Sequence, residues 1–65
     1  MSTQKRAADL QPGDVIVGMP VGPMTVRGVS TARRGSRVTA RIAFHGFAPI
    51  TGTPADKLYD VEEQP

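Results

Sequence analysis

Hydrophobic and polar residues alternate most regularly between positions 37 and 44. The apolar series is Val38, Ala40, Ile42 and Phe44, and the intervening series is Arg37, Thr39, Arg41 and Ala43. Successive side chains of a β-strand point to opposite faces of the sheet. The pattern therefore predicts a strand with one face in the core and the other in water.

Two more strands are predicted before this one. Val15–Val17 is β-branched throughout and too short for a helix. The next strand starts at Met24, and its apolar phase slips by one residue at Gly28 before Val29. Such a slip predicts a β-bulge, which bends the strand and increases its twist.

Connectors and two further strands follow from the turn-forming residues. Gly18–Pro23 holds two glycines and two prolines and predicts a loop, and Ala32–Ser36 predicts a polar connector. Residues 49–53 and 59–61 predict the last two strands. Proline cannot donate to a ladder, so Pro49 predicts that its strand begins there or lies at an edge.

The segment from Thr53 to Leu58 predicts one helical turn. Thr53 suits the N-cap, Pro54 the first helical position, and Asp56 the positive end of the helix dipole. Five short strands with one such turn before the last strand predict an all-β fold, a small five-stranded SH3-like barrel. An OB-like barrel is the alternative.

The chain has the length of a single small domain. With 65 residues, it buries only about 60% of the surface that its unfolded form exposes. We assign residues 10–62 to the barrel, residues 1–9 to a flexible N-terminal tail and residues 63–65 to a C-terminal tail. Cysteine is absent, so stability must come from a well-closed sheet or from self-association, and a homo-oligomer is left open.

The first ten residues are polar and lack the apolar stretch of a signal peptide. No window of the sequence approaches the roughly 20 apolar residues of a membrane span. We therefore expect a cytoplasmic protein that does not contact a membrane.

Charge is distributed unevenly along the chain. The formal net charge is +2, from eight Lys and Arg against six Asp and Glu. Five arginines and no acid lie between positions 15 and 53, whereas residues 54–65 carry four acids and one lysine. The arginines are Arg27, Arg33, Arg34, Arg37 and Arg41. Such a molecule has a positive and a negative pole, which also permits head-to-tail association of identical chains.

The arginines are the strongest chemical signal in the sequence. Arg37, Thr39 and Arg41 alternate on the water face of one strand, about 6 to 7 Å apart, close to the spacing of phosphates along a nucleic-acid strand. Arg33 and Arg34 at the hairpin tip extend this row. Arginine presents a planar fork suited to phosphate, so a polyanion is the first partner to consider. A merely solvated charged face is the alternative.

Aromatic residues and catalytic groups are few. Phe47 is the one ring expected at the surface, either to stack on a base or to cover one end of the barrel. The only histidine, His45, lies beside a glycine in a predicted turn, where a surface role is commoner than general-base catalysis. The sequence has no cysteine nucleophile, and no three or four of its side chains are expected to converge on a metal ion. We expect no enzyme activity, no metal and no cofactor.

A protein-binding hypothesis rests on sheet edges and on one loop. An open small barrel leaves at least one strand edge unpaired, where a peptide or another copy can add a strand. Met19, Val21 and Met24 belong to an apolar loop that could line a docking groove, since methionine adapts to partners. The same methionines could instead fill gaps in the small core.

Several short motifs occur in a family-like order between Leu10 and Glu62. A GD-V-V strand precedes a GP-containing loop, a bent second strand and a third strand that ends near F-G. The residues are Gly13, Asp14, Val15, Val17, Gly22, Pro23, Gly28, Val29, Phe44 and Gly46. This order resembles KOW-type and NusG-type SH3-like barrels, although Met24 and Thr25 stand where that family has a second glycine. The resemblance implies contact with nucleic acid, the ribosome or the transcription machinery.

Two other likenesses bear on function. The phrases ADLQPGDVIV and ADKLYDVEE are similar to those of small proteins from actinobacteria and their phages. In length the chain also resembles the type II dihydrofolate reductases, but residues 49–52 lack the V-Q-I-Y stretch of that family, which disfavours an enzyme. The first hypothesis is thus a non-enzymatic module that binds nucleic acid or a nucleoprotein machine. The alternative is a phage or mobile-element barrel that self-assembles or binds a host protein.

Overall fold

The alternating segment at residues 37–44 forms a strand, as predicted, within an all-β molecule. The computed structural model describes residues 2–62, so the C-terminal tail predicted at residues 63–65 lies outside the described residues. Six strands form one antiparallel sheet. They are β1 (Ser2–Arg6), β2 (Val15–Ile16), β3 (Met24–Arg34), β4 (Arg37–Phe44), β5 (Ile50–Pro54) and β6 (Leu58–Glu62). The all-β prediction is confirmed.

The strand order in the sheet is β1-β6-β2-β3-β4-β5. The two outermost strands are therefore β1 and β5, and no ladder in residues 2–62 joins them. Two backbone hydrogen bonds join the segment after β1 to the turn between β5 and β6: Ala7 N donates to Lys57 O (2.9 Å), and Ala8 N donates to Ala55 O (3.0 Å). Edge position explains why Pro49 directly precedes β5, as predicted.

No helix among these residues has the length and apolar character needed to cross a bilayer.

The inner row of β4 supplies the centre of the core. Ala40, Ile42 and Phe44 are buried, as the alternation predicts, and they form one cluster with buried residues of the neighbouring strands. The largest fully buried side chains are Ile16, Val26, Ile42 and Val61. Val38, the first member of the predicted inner row, is instead 40% exposed. The prediction is wrong at Val38 because the β3–β4 hairpin continues past the end of the core.

The β-bulge predicted at Gly28 is present. The pairing of β3 with β4 shifts register between Val26, which lies opposite Phe44, and Gly28, which lies opposite Ala43. Val26 is fully buried, and Val29 packs against the same core from the other side of the bulge. A regular strand would point Val26 and Val29 to opposite faces because they are three positions apart. The bulge lets β3 direct both side chains into one core.

The N-terminal segment is a strand and not a flexible tail. β1 pairs along its whole length with β6, from Ser2 opposite Glu62 to Arg6 opposite Leu58. A 3-10 turn at Ala7–Asp9 follows, in which Ala7 is buried. The prediction for residues 1–9 is wrong for residues 2–9 because an edge strand pairs through its backbone and needs no apolar side chains. The polar sequence STQKR gives no periodic signal.

No helical turn precedes the last strand. β5 runs through Pro54, and Thr53 is buried opposite Ala40. Lys57 N donates to Pro54 O at 3.1 Å, which closes a β-turn into β6. The predicted cap at Thr53 was wrong because proline and aspartate suit a tight turn as well as a helix start. Six strands, rather than five, and a 3-10 turn after β1 replace that part of the prediction.

The connector between β3 and β4 is shorter than the predicted Ala32–Ser36 segment. β3 extends to Arg34 and β4 begins at Arg37, so only Gly35 and Ser36 form the turn. Gly35 has a φ of 60°, the left-handed value that the first central residue of a type II′ turn requires. A two-residue turn fixes the register of the hairpin and therefore the face on which each arginine lies.

A pair of identical substitutions tests where the core ends. Val26→Ala empties a fully buried site and should lower the free energy of unfolding by about 2 kcal/mol. Val38→Ala, on the strand that pairs with β3, should change it by less than about 0.5 kcal/mol because that side chain is partly in water. Urea denaturation measures both, and equal losses would contradict the boundary.

Candidate nucleic-acid interface

The β3–β4 hairpin extends beyond the core. Nine consecutive residues, 30–38, are exposed, and we call them the arm. The molecule measures 37 × 23 × 20 Å along its principal axes, an elongation in keeping with such a projection. The arm carries three of the five predicted arginines, namely Arg33, Arg34 and Arg37.

The ladder register decides which arginines share a face. Arg34 lies directly opposite Arg37, and Arg41 lies opposite Ser30. Directly opposed residues of an antiparallel pair have side chains on the same face. Arg37 and Arg41 also share a face because they are four residues apart on one strand. Arg34, Arg37 and Arg41 therefore lie together on the face turned away from the core, which we call the outer face.

Arg27 belongs to the outer face as well. It is exposed and directly follows the fully buried Val26, so its side chain points away from the core. Arg27 lies at the bulge, beside Gly28, and Gly28 pairs with Ala43. Ala43 is two residues along β4 from Arg41. The outer face thus holds four of the five predicted arginines.

Arg33 departs from the predicted row. It pairs with Val38, a member of the inner row of β4, and so lies on the opposite face of the arm, which we call the inner face. Its Nε donates to Gly35 O at 3.1 Å. The bulge causes this placement, because one extra residue in β3 exchanges the faces of all later positions.

The five arginines have no acidic partner within residues 2–62. The ion pairs of this part of the chain are Lys5–Asp14 at 3.1 Å and Arg6–Asp9 at 3.0 Å. Arg34 and Arg37 therefore oppose each other as like charges, an arrangement that typically costs a few tenths of a kcal/mol up to about 1. The outer face is thus a positive surface whose arginines form no ion pair in this part of the chain.

A groove of about 720 Å³ runs between the arm and the β5–β6 turn. It is lined by Ser36, Arg37, Val38, Thr39, Gly52, Pro54, Ala55 and Asp56. Asp56 is the one acid in this lining, and no ion pair joins it to Arg37 in the part of the chain that the structure describes. The groove therefore carries one charge of each sign at its two sides.

The remaining predicted site residues do not join the arginines. Phe47 is 42% exposed and lies in the turn after β4, at the other end of that strand from the arm. Val21 is 63% exposed, and Met19 packs against the core. Met24 is only 5% exposed and belongs to the core. The prediction of Met24 as a protein contact is wrong because the start of β3 directs it inward, which the gap-filling alternative for the methionines anticipates.

Two features of the site escape sequence analysis. One is the direct opposition of Arg34 and Arg37, which requires the turn length to be known. The other is the open side of β3: β2 pairs only with Met24 and Thr25, so no ladder covers that side beyond the bulge in residues 2–62. The glycine before Ser36 is the one sequence signal that could have fixed the shorter turn.

Metal-ligating side chains do not cluster in the part of the chain that the structure describes. Over residues 2–62, no three side chains of His, Cys, Asp or Glu come together as metal ligands would. His45 is exposed in the turn after β4. No protein-family model, no curated protein and no solved structure matches this chain.

Charge reversal at one member of the opposed pair tests the like-charge contact. Arg37→Glu converts the Arg34–Arg37 contact into an ion pair and should raise the free energy of unfolding by about 0.5 kcal/mol at low salt. The gain should shrink at high salt because exposed charges are screened. Urea denaturation at two salt concentrations measures it.

Arg41→Glu is the matched control, because the uncharged Ser30 lies opposite Arg41. It makes the same charge change on the same face without creating a directly opposed ion pair. An equal gain in both variants would mean that general charge reduction, and not the opposed pair, accounts for the effect.

Proposed function

We propose that this chain is a non-enzymatic binding module that contacts the phosphate backbone of nucleic acid through its outer face and acts in the cytoplasm. The observation that carries the proposal is the direct opposition of Arg34 and Arg37 without any acid paired to either in residues 2–62. Like charges in that position oppose folding. A bound phosphate between the two guanidinium groups would reverse the sign of this contribution.

The spacing of the outer face suits a polymer of phosphates better than a single anion. Arg37 and Arg41 are four residues apart on one strand, which places their Cα atoms about 13 Å apart. Arg27 continues the row beyond Arg41, at the bulge. One small anion can reach only the Arg34–Arg37 pair, whereas a nucleic-acid strand can reach all four side chains.

Backbone contact is favoured over the reading of single-stranded bases. The arm has no aromatic residue, and single-stranded recognition depends largely on bases stacked on rings. Phe47 lies in the turn after β4, at the other end of that strand, and is too far away to act together with the arm. The resemblance to KOW-type and NusG-type barrels supports the same class of partner.

Removal of two outer-face charges should weaken binding without unfolding the protein. The double variant Arg37→Ala and Arg41→Ala should lose affinity for nucleic acid, and the slope of log affinity against log salt should fall by about 2, one unit for each lost phosphate contact. Fluorescence anisotropy with a labelled oligonucleotide at several salt concentrations measures both quantities. The unfolding midpoint should stay nearly unchanged because both side chains are exposed.

Arg6→Ala is the control, since Asp9 already neutralises Arg6 at 3.0 Å. It should leave the salt slope unchanged. Asp56→Asn should move affinity the other way, because Asp56 lines the groove beside Arg37 and repels phosphate. Absence of binding by the parent protein at low salt, or an unchanged slope in the double variant, would exclude the proposal.

A second candidate function is protein binding by strand addition at the open side of β3. On this side Val26 still exchanges backbone hydrogen bonds with Gly13 and Asp14, but past Val26 the strand has no ladder partner there among residues 2–62. An extended peptide can pair with such an edge. Arg27, Arg33 and Arg34 flank it and would repel a second copy of the same edge. An acidic segment of another protein, such as a host protein bound by a phage-encoded module, fits better.

Amide hydrogen exchange separates the two candidates. Strand addition forms backbone hydrogen bonds, so alternate amides of residues 27–34 should become protected when an acidic peptide binds. Phosphate contact through guanidinium groups should leave those amides exchanging at their former rate. Unchanged exchange in the presence of a bound acidic peptide would remove strand addition from consideration.

A further inference from the structure

The arm carries positive charge on both of its faces, although only its outer face continues the row formed by Arg41 and Arg27. Arg34 and Arg37 lie on the outer face, and Arg33 lies opposite Val38 on the inner face. A protein that lay flat on a phosphate backbone would use only one face of a ribbon. Charges on both faces suit a β-ribbon that lies between two phosphate backbones.

The dimensions of the arm match one nucleic-acid groove. Arg37 lies three positions from Ala40, the buried residue of β4 nearest the tip of the arm, so the paired strands project about 10 Å. Stacked sheets with side chains on both faces pack about 10 Å apart, a spacing that approximates the thickness of a two-stranded ribbon. The major groove of B-form DNA is about 12 Å wide and 8.5 Å deep and admits a two-stranded β-ribbon.

We propose that the arm enters the major groove of double-stranded B-form DNA with its tip first. Arg33 then faces the phosphates of one strand, and Arg34 with Arg37 faces those of the other. This inference rests on the proposed function and adds the class of nucleic acid, the groove and the role of Arg33.

The residues of the turn fit the floor of that groove. Gly35 has no side chain, so the backbone at the tip can approach base edges closely. Ser36 is exposed beside it, and a serine hydroxyl both donates and accepts, so it can bond to the edge of any base. Binding should therefore depend only weakly on base sequence, while the arginines on both faces supply the affinity.

Other forms of nucleic acid do not offer the same fit. The major groove of A-form RNA is deep and too narrow for protein side chains to read. The minor groove of B-form DNA is about 6 Å wide, roughly half of what the ribbon needs. A single strand has one backbone and cannot contact both faces of the arm at once.

Anisotropy titrations with four labelled probes of equal length test the inference. The probes are a DNA duplex, an RNA duplex of the same sequence, the single DNA strand, and a DNA duplex whose major groove is filled by glucosylated 5-hydroxymethylcytosine. The plain DNA duplex should bind roughly tenfold or more tightly than each of the other three, a difference of the size that one or two lost ionic contacts produce.

The variant Arg33→Ala distinguishes groove entry from surface contact. It should reduce the salt slope on the plain DNA duplex by about 1, because one phosphate contact is lost. On the RNA duplex and the single strand it should leave the slope unchanged, because there only the outer face makes contact. Arg6→Ala should leave all four slopes unchanged, and circular dichroism should show that Arg33→Ala keeps its strand content.

The outcomes separate this inference from the proposed function. Equal affinity for all four probes, with the Arg37 and Arg41 double variant still weakened, would overturn groove entry and leave the proposed function standing. Competition by a minor-groove ligand, with no effect of the glucosylated bases, would also overturn it. No binding to any probe would overturn both.

Discussion

One steric constraint determines the layout of this molecule: Val26 and Val29 must both reach a single small core although they lie three positions apart. A regular strand would place them on opposite faces. The bulge at Gly28 resolves the conflict, and both side chains pack on the core cluster. The same extra residue inverts the facing of every later position of β3. It places Arg34 on the outer face and Arg33 on the inner face. The packing of Val26 and Val29 in the core therefore decides on which face of the arm each arginine lies.

Stability and surface charge are largely separate in this arrangement. The buried cluster ends at Ala40 and Val29, and residues 30–38 are in water. Changes in the arm therefore cost little packing energy, which leaves its sequence free to meet the needs of a partner. The opposition of Arg34 and Arg37 adds a small unfavourable term that a chain of this size can tolerate while Ile16, Val26, Ile42 and Val61 stay fully buried.

Sequence reasoning succeeded where side chains alternate or break phase. The inner row of β4 and the bulge at Gly28 follow from periodicity alone. β1 could not be predicted, because an edge strand needs only backbone partners and the segment STQKR carries no apolar pattern. The turn after Thr53 was mistaken for a helix start since Pro54 and Asp56 favour both. The sequence predicted which arginines lie in the β3–β4 hairpin. It did not predict the face on which each one lies, because that depends on the turn length and the strand register.

Pairing of the first strand with the last has a consequence for the order in which the sheet forms. The only ladder partner of β1 in residues 2–62 is β6, at the other end of this part of the chain. The β3–β4 hairpin can form early from local contacts, whereas β1 stays unpaired until β6 has been brought to it. Pairings between distant segments are also the slow step of small β-proteins. The polar side chains of β1 keep that late-pairing segment hydrated, so it exposes little apolar surface before the sheet is complete.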